Sequence, residues 1–159
     1  MQVEFIQPFA VAAVRVLEAE LGADVKRGEL SVAHEEFTTQ EVTVLIGVTG
    51  QVEGSVLYGT DRGTVNRMVS VMIGEEHNEF DETSRSAIAE LGNVISGQAA
   101  ALFEQQGINC SISPPNLIVG AGTHLSSVGI PRLIIPLNTE LGVVELAVSL
   151  RDKKNRTAS

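Results

Sequence analysis

Glu90 and Asn93 stand three residues apart in Ala89-Glu90-Leu91-Gly92-Asn93, inside a stretch with helical periodicity. Residues three apart on a helix are neighbours, so a carboxylate and a carboxamide would share one patch of surface. The carboxylate can accept a hydrogen bond from a cation. The carboxamide can donate to and accept from a water at the same time. Such a pair can position a cationic group and a water molecule. The same spacing usually occurs where a helix simply faces solvent, and asparagine, a mediocre helix former, raises interest only slightly; taken alone, the pair reads as a solvated one.

Other chemistry-bearing residues are few. The three histidines, His34, His77 and His124, are far apart, which argues against a dedicated zinc site. His77 lies in an acidic stretch, residues 75–82, that reads as a solvated connector placing negative charge at a helix N-terminus. The single cysteine, Cys110, excludes an internal disulfide. It has no basic neighbour in sequence and reads as structural. Gly120-Ala121-Gly122-Thr123-His124 is glycine-rich, but no suitable strand–helix unit follows to make it a nucleotide loop.

The 159 residues predict a single domain, residues 1–150, and a frayed tail, residues 151–159. With 43% hydrophobic and 19% charged residues the composition is globular rather than disordered. Twenty acidic residues against 11 basic ones give a net charge of -9. A nucleic-acid partner would need a basic footprint, and an anionic membrane surface would repel this chain. No run reaches the roughly 18 apolar residues of a membrane span. The early Glu4, with Arg15, Glu18 and Glu20 after it, does not fit a signal peptide. The expectation is a cytoplasmic protein with neither a nucleic acid nor a membrane as partner.

The elements that must position Glu90 and Asn93 can be read along the chain. Phe9, Ala12, Ala13, Val16, Leu17 and Leu21 predict a helix over residues 5–21 that stops at Gly22, with Pro8 tolerable only in its first turn. Residues 24–38 are mixed and read as an irregular strand with a loop. Residues 41–58 predict two strands joined at Thr49-Gly50-Gln51. Asp61 caps a helix over 62–73 closed by Gly74; Asp81 or Thr83 caps a long helix running to about Gln106. Beyond the break at Ser113-Pro114-Pro115, strands are predicted at Asn116–Val119, 133–136 and 143–150. Residues 49–57 and 138–146 share a pattern, and each half begins with a helix closed by glycine. The predicted fold class is therefore α+β: a mixed, mostly antiparallel sheet with long helices packed on it, arranged as a pseudo-two-fold helix–strand–strand repeat. Residues 143–150 have no lysine or proline and only Glu145 as a charge, so they lack the usual protection of an edge strand. Either a neighbouring strand or a partner chain should cover them.

At about 100° per residue, Ile88, Leu91, Ile95, Ala99 and Leu102 form the core stripe of the long helix, with Phe103 at its edge. Gly92, near that stripe, would let the helix approach the sheet closely. The opposite face carries Ser86, Glu90, Asn93, Gly97, Ala101 and Glu104, and apart from its glutamates it is small and smooth. A glycine inside a helix costs about 1 kcal/mol relative to alanine. Gly97 gains nothing in return on a solvated face. A closely approaching partner would explain it, and so would a contact elsewhere in this chain.

Ala89-Glu90-Leu91-Gly92-Asn93 followed by Gly97, preceded by Arg85-Ser86 in a long helix, resembles the signature of the CheC/CheX/FliY family. These are bacterial phosphatases of the phosphorylated chemotaxis response regulator CheY. Ile46-Gly47-Val48-Thr49-Gly50-Gln51-Val52-Glu53-Gly54-Ser55-Val56-Leu57-Tyr58 and Ile112-Ser113-Pro114-Pro115 agree with it, and the match runs through most of the chain in order. Length and the lack of appended domains favour the CheX type over the FliY type. The resemblance implies an enzyme, a hydrolase that removes the aspartyl phosphate of a receiver domain in chemotaxis or another two-component pathway. It implies that Glu90 holds the receiver's active-site lysine and that Asn93 orients a water for in-line attack. Ser86, Gly97 and Ala101 would then lie under the docked partner. It implies no cofactor of the chain's own, since the receiver brings the aspartate, the lysine and Mg²⁺. It also implies a homodimer formed through the sheets. CheC-like members carry a second pair on the first helix; here that place holds Glu4-x-x-Gln7, with Pro8 next, which implies one site per chain. The alternative is a non-catalytic receiver-docking or flagellar-switch-like module of the same fold, which would not need a water-orienting amide at position 93. A structural dimer without a receiver partner is a third reading.

Overall fold

The computed structural model describes residues 3–34, 36–126 and 129–154. A 3-10 turn (Val3–Phe5) runs into α1 (Ile6–Leu21). Three short strands follow, β1 (Lys26–Arg27), β2 (Ser31–Ala33) and β3 (Glu36–Thr38), then the hairpin of β4 (Val42–Gly50) and β5 (Val52–Thr60). After α2 (Arg62–Ile73) and α3 (Glu82–Gln105) the pattern repeats: short strands β6 (Cys110–Ile112), β7 (Asn116–Val119) and β8 (His124–Ser126), then the hairpin of β9 (Arg132–Thr139) and β10 (Gly142–Asp152).

The long hairpins meet at the centre of the main sheet, where β5 and β10 pair antiparallel with Leu57 opposite Ala147. The order across the sheet is β1-β9-β10-β5-β4-β6, with β2 also on β9 and β7 also on β4. Each half lends its first two short strands to the other half's hairpin: Lys26 pairs with Asn138, and Ile112 with Val48. The third short strands, β3 and β8, pair with each other as a separate ribbon. The pseudo-two-fold repeat is thus present, but its unit is helix, three short strands and a hairpin, interlocked with its counterpart. This arrangement settles what covers residues 143–150. β10 is paired by β9 over residues 142–148 and by β5 over residues 145–152 of the same chain, so its central residues offer no free edge for a partner.

Strand alternation decides which residues meet the helices. Val42, Val44, Ile46 and Val48 of β4 are buried in the main core with α1 and α3, while Leu57 and Ala147 belong to a smaller cluster on the other face with Leu45, Leu125 and Ile134. Phe103 closes the main core. Its ring sits edge-on to Phe9 at 5.7 Å and to Phe5 at 6.2 Å between centroids. Phe103 is fully buried and Leu102 only partly, so the core stripe of α3 leans further toward α1 than periodicity alone predicts.

The termini of α3 fall where expected, while His77 and the C-terminal strand depart from expectation. Asp81 is the N-cap: its side chain accepts from the Ser84 backbone N–H, and the Asp81 backbone N–H is satisfied by Ser84 Oγ, a capping box. His77 is not solvated. Its Nε2 lies 3.0 Å from both Asp81 Oδ1 and the buried Ser84 Oγ, so the histidine joins the cap rather than decorating a loop. At the other end of the chain, β10 continues past Leu150 because Arg151 and Asp152 keep register with Glu53 and Val52 of β5. The expected tail at 151–159 therefore begins later, and residues 155–159 lie outside the described residues.

Candidate active site

α3 lies across β4, β6 and β7, and two features hold it there. Tyr58 on β5 and Ser96 on α3 share a buried hydrogen bond of 2.7 Å. Burial also pushes the Tyr58 phenol well above its usual pKa, so the tyrosine stays neutral and the bond persists across any working pH. Gly92 faces the sheet: a Cβ there would meet Val44 Cγ1 at 2.9 Å and Tyr58 Cδ2 at 3.3 Å. The close approach read from the sequence is real, and it fixes the rotation of the helix.

That rotation turns Ser86, Glu90, Gly97 and Ala101 outward, all exposed, with Asn93 half-buried between them. All five lie on one strip of α3 about 22 Å long at 1.5 Å per residue. Among the described residues neither the Glu90 carboxylate nor the Asn93 carboxamide makes a hydrogen bond or ion pair. Their polar atoms are free for an incoming group. Among the described residues nothing lies within 4 Å of where a Gly97 Cβ would be, so none of them requires that glycine.

The corresponding place on α1 is different. The shift that carries Glu4 onto Glu90 and Gln7 onto Asn93 also superposes the buried positions Phe5 on Leu91, Ile6 on Gly92, Phe9 on Ile95, Ala13 on Ala99 and Leu17 on Phe103. Glu4 falls in the 3-10 turn before the helix, and the Gln7 carboxamide oxygen accepts from Arg27 at 3.2 Å. Val11 stands where Gly97 does. Arg27 is 20 residues from Gln7, and no local pattern in the sequence announces that contact.

The remaining sequence candidates have structural roles. Gly120 and Gly122 give their backbone N–H groups to the Glu41 and Thr39 carbonyls, and Thr39 Oγ1 donates to the Gly120 carbonyl, so the glycine-rich run closes a loop against the link between β3 and β4. The Cys110 thiol is raised by burial, which disfavours the reactive thiolate. Ser113 Oγ accepts from the Gly47 N–H at 2.8 Å and its own N–H donates to the Gly47 carbonyl, which ties the two outlying sequence motifs to each other where β6 gives way to β7. Among the described residues, no group of three or more His, Cys, Asp or Glu could hold a metal ion, and no helix is long and apolar enough to cross a membrane.

What the sequence analysis missed is a groove beside Glu90. Its lining comes from three helices, Val16 and Glu20 on α1, Met72 on α2 and Leu91 and Val94 on α3 among them, and its volume is about 480 Å³. The signal available was a run of apolar residues at the end of α2, Val71-Met72-Ile73, all of them exposed.

Comparison with known proteins agrees with the architecture. A CheC-like superfamily protein from Shewanella sp. PV-4 superposes with a TM-score of 0.85 over 95% of this chain and 99% of its own, at 23% identity, which shows the fold. CheX in the CheX–CheY–BeF3–Mg²⁺ complex of Borrelia burgdorferi superposes with a TM-score of 0.80 at 27% identity, over 93% of this chain and 98% of that one. The CheY-P phosphatase CheX of Thermotoga maritima is 40% identical over 112 residues, 69% of this chain and 72% of its own length. The model of the family "Chemotaxis phosphatase CheX" matches residues 42–138, more than half of the chain, and includes both the β4–β5 hairpin and all of α3. On fold, sequence and the span of that match, the chain belongs to the CheX family of chemotaxis phosphatases.

Proposed function

We propose that the outer strip of α3 is the working site of a phosphatase that hydrolyses the aspartyl phosphate of a CheY-type receiver domain, with Glu90 and Asn93 as the residues that act. The protein is an aspartyl-phosphate phosphatase of the CheX type, as its relationship to the Thermotoga maritima CheY-P phosphatase indicates. The observation that carries the placement of the site is the pair itself. Two polar side chains, three residues apart on one helix, have no partners among the described residues and stand beside a glycine that none of those residues requires.

The chemistry asks little covalent work of such a site. Hydrolysis breaks the bond between phosphorus and the aspartate oxygen and forms one to a water oxygen, returning a carboxylate and inorganic phosphate. Such transfers depend on positioning and electrostatic stabilisation. Glu90 accepts hydrogen bonds from the receiver's active-site lysine and fixes the two proteins in register. Asn93, three residues on, then reaches the receiver's active site. Its Oδ1 accepts from the attacking water and its Nδ2 donates to a neighbouring oxygen, which leaves a water lone pair in line with the phosphorus. Ser86, Gly97 and Ala101 provide the low surface that lets another domain come this close. Mg²⁺ belongs to the receiver's side of the interface in this reading, and the Borrelia burgdorferi relative is seen in a complex with CheY, BeF3 and Mg²⁺. A receiver substrate also places the protein in the cytoplasm.

The homodimer rests on family resemblance, since the central residues of β10 give no edge for it. Sedimentation at micromolar concentration decides it, a monomeric mass removing the dimer. The function is tested by the decay of a phosphorylated CheY receiver with and without the protein. Acceleration is expected at substoichiometric protein; an unchanged decay would mean that the strip does not catalyse.

A further inference from the structure

The groove beside Glu90 is larger than one lysine contact requires. It lies where α1, the C-terminal end of α2 and the first half of α3 meet. Val16, Met72 and Val94 make its floor apolar, and Glu20, Glu82 and Glu90 place carboxylates around it. Met72 is 39% exposed, and Val71 and Ile73 beside it are 43% and 47% exposed, so the apolar surface continues outward along the end of α2. Apolar surface rimmed by charge in this way marks interaction sites.

We infer that this groove receives an apolar side chain of the receiver domain that lies next to a basic residue, and that this contact decides which receiver the protein accepts. The inference rests on the phosphatase reading given above. Its first support is continuity. Glu90 belongs both to the catalytic pair and to the rim, so a partner whose lysine meets Glu90 must lay its neighbouring surface over the groove. Its second support is charge. Three carboxylates around an apolar floor repel an acidic occupant and favour an aliphatic or aromatic side chain flanked by lysine or arginine. A chain of net charge -9 cannot rely on long-range attraction to a receiver whose own active site is acidic. Discrimination must come from short-range fit, where a buried anchor in a pocket carries most of the energy.

The test is steady-state dephosphorylation of a CheY receiver charged with acetyl phosphate, comparing wild type with Met72→Gln and Glu20→Lys. Met72 is at the exposed end of α2 and Glu20 in the exposed last turn of α1, so both variants keep the fold, which melting temperature verifies. Each should raise KM about tenfold, equivalent to about 1.4 kcal/mol of docking, with the loss falling on KM rather than kcat. If wild type is active and both variants keep its KM, the groove does not contact the receiver and the inference is overturned. If the variants instead change the sedimenting mass of the protein alone while KM stays put, the groove serves a second copy of this chain, which also overturns it. A wild-type protein that leaves receiver decay unchanged removes the phosphatase reading itself, an outcome distinct from either.

Discussion

α1 and α3 occupy equivalent places in the two interlocked halves, and among the described residues only α3 carries its polar pair inside a formed helix with both side chains unpartnered. Both pack an apolar stripe onto the sheet and against each other through Phe5, Phe9 and Phe103. Their N-terminal portions differ. α3 starts seven residues before Glu90's near neighbour Ala89, at a capping box of Asp81 and Ser84 braced by His77, so its pair stands well inside a formed helix. α1 starts from a 3-10 turn with no side-chain cap, so Glu4 precedes the helix and Gln7 lies in its first turn, occupied by Arg27. The comparison shows that a repeated fold does not repeat its outer surface. On the proposed reading, a pair of polar residues serves as a site where the helix beneath it is formed, the side chains are unspent and the surface around them is low.

Substitutions can break or sharpen this contrast. The largest effect is expected from reversing the charge at the site: Glu90→Lys sets a like charge against the receiver's lysine, which costs several kcal/mol. Docking and turnover should vanish together, as read by binding to a BeF3-activated receiver and by phosphate release. Glu90→Ala should be milder, weakening docking by about 2 kcal/mol or more, while Glu4→Ala leaves both readouts alone. Gly97→Leu should also block docking by bulk, yet raise stability by up to about 1 kcal/mol because it replaces a helix glycine in open space. If Gly97→Leu unfolds the protein, the glycine is packed and the strip is not a docking surface. Gly92→Ala, only five residues away, should do the opposite. Its methyl group meets Val44 and Tyr58, and strain of about 1–3 kcal/mol should outweigh the gain in helix propensity and lower the melting temperature.

The smallest effect concerns the cap. The Ser84 backbone N–H holds the Asp81 carboxyl below its usual pKa, with His77 contributing in the same direction. A lowered folded-state pKa stabilises above the unfolded value, near 4, and that contribution disappears as pH falls through the folded value. Asp81→Ala should therefore lower the melting temperature slightly at neutral pH and make no difference at low pH. An equal change at both would show that the charged cap is not what secures α3.

Sequence reading reached α3, its outward strip and the central hairpins because each carries its signal locally. A helix shows its face every three or four residues, and a hairpin shows its turn. Of the short strands, β6 and β8 are not read at all, and β1, β2 and β3 read only as one irregular strand with a loop over residues 24–38. They are two or three residues long and pair with distant segments, as Lys26 does with Asn138. The continuation of β10 to Asp152 was missed for the same reason, since charged Arg151 and Asp152 read as tail until β5 is placed beside them. His77 looked solvated because its acidic neighbours dominate the sequence, whereas the fold brings in buried Ser84. At the site, Glu90, Asn93 and Gly97 could be named from spacing and family resemblance. That Gln7 is occupied, and that a groove opens beside Glu90, depends on how three helices converge.

The central claim is that catalysis belongs to Asn93 on α3 and not to its counterpart on α1. The most direct test is the decay of one phosphorylated CheY receiver under saturating wild type, Asn93→Ala and Gln7→Ala, side by side. Asn93→Ala should lose about 100-fold or more, the scale set by loss of reactant positioning, while still binding the receiver and keeping its fold, and Gln7→Ala should match wild type. Wild-type decay with Asn93→Ala, or a comparable loss with Gln7→Ala, would contradict a single site on α3.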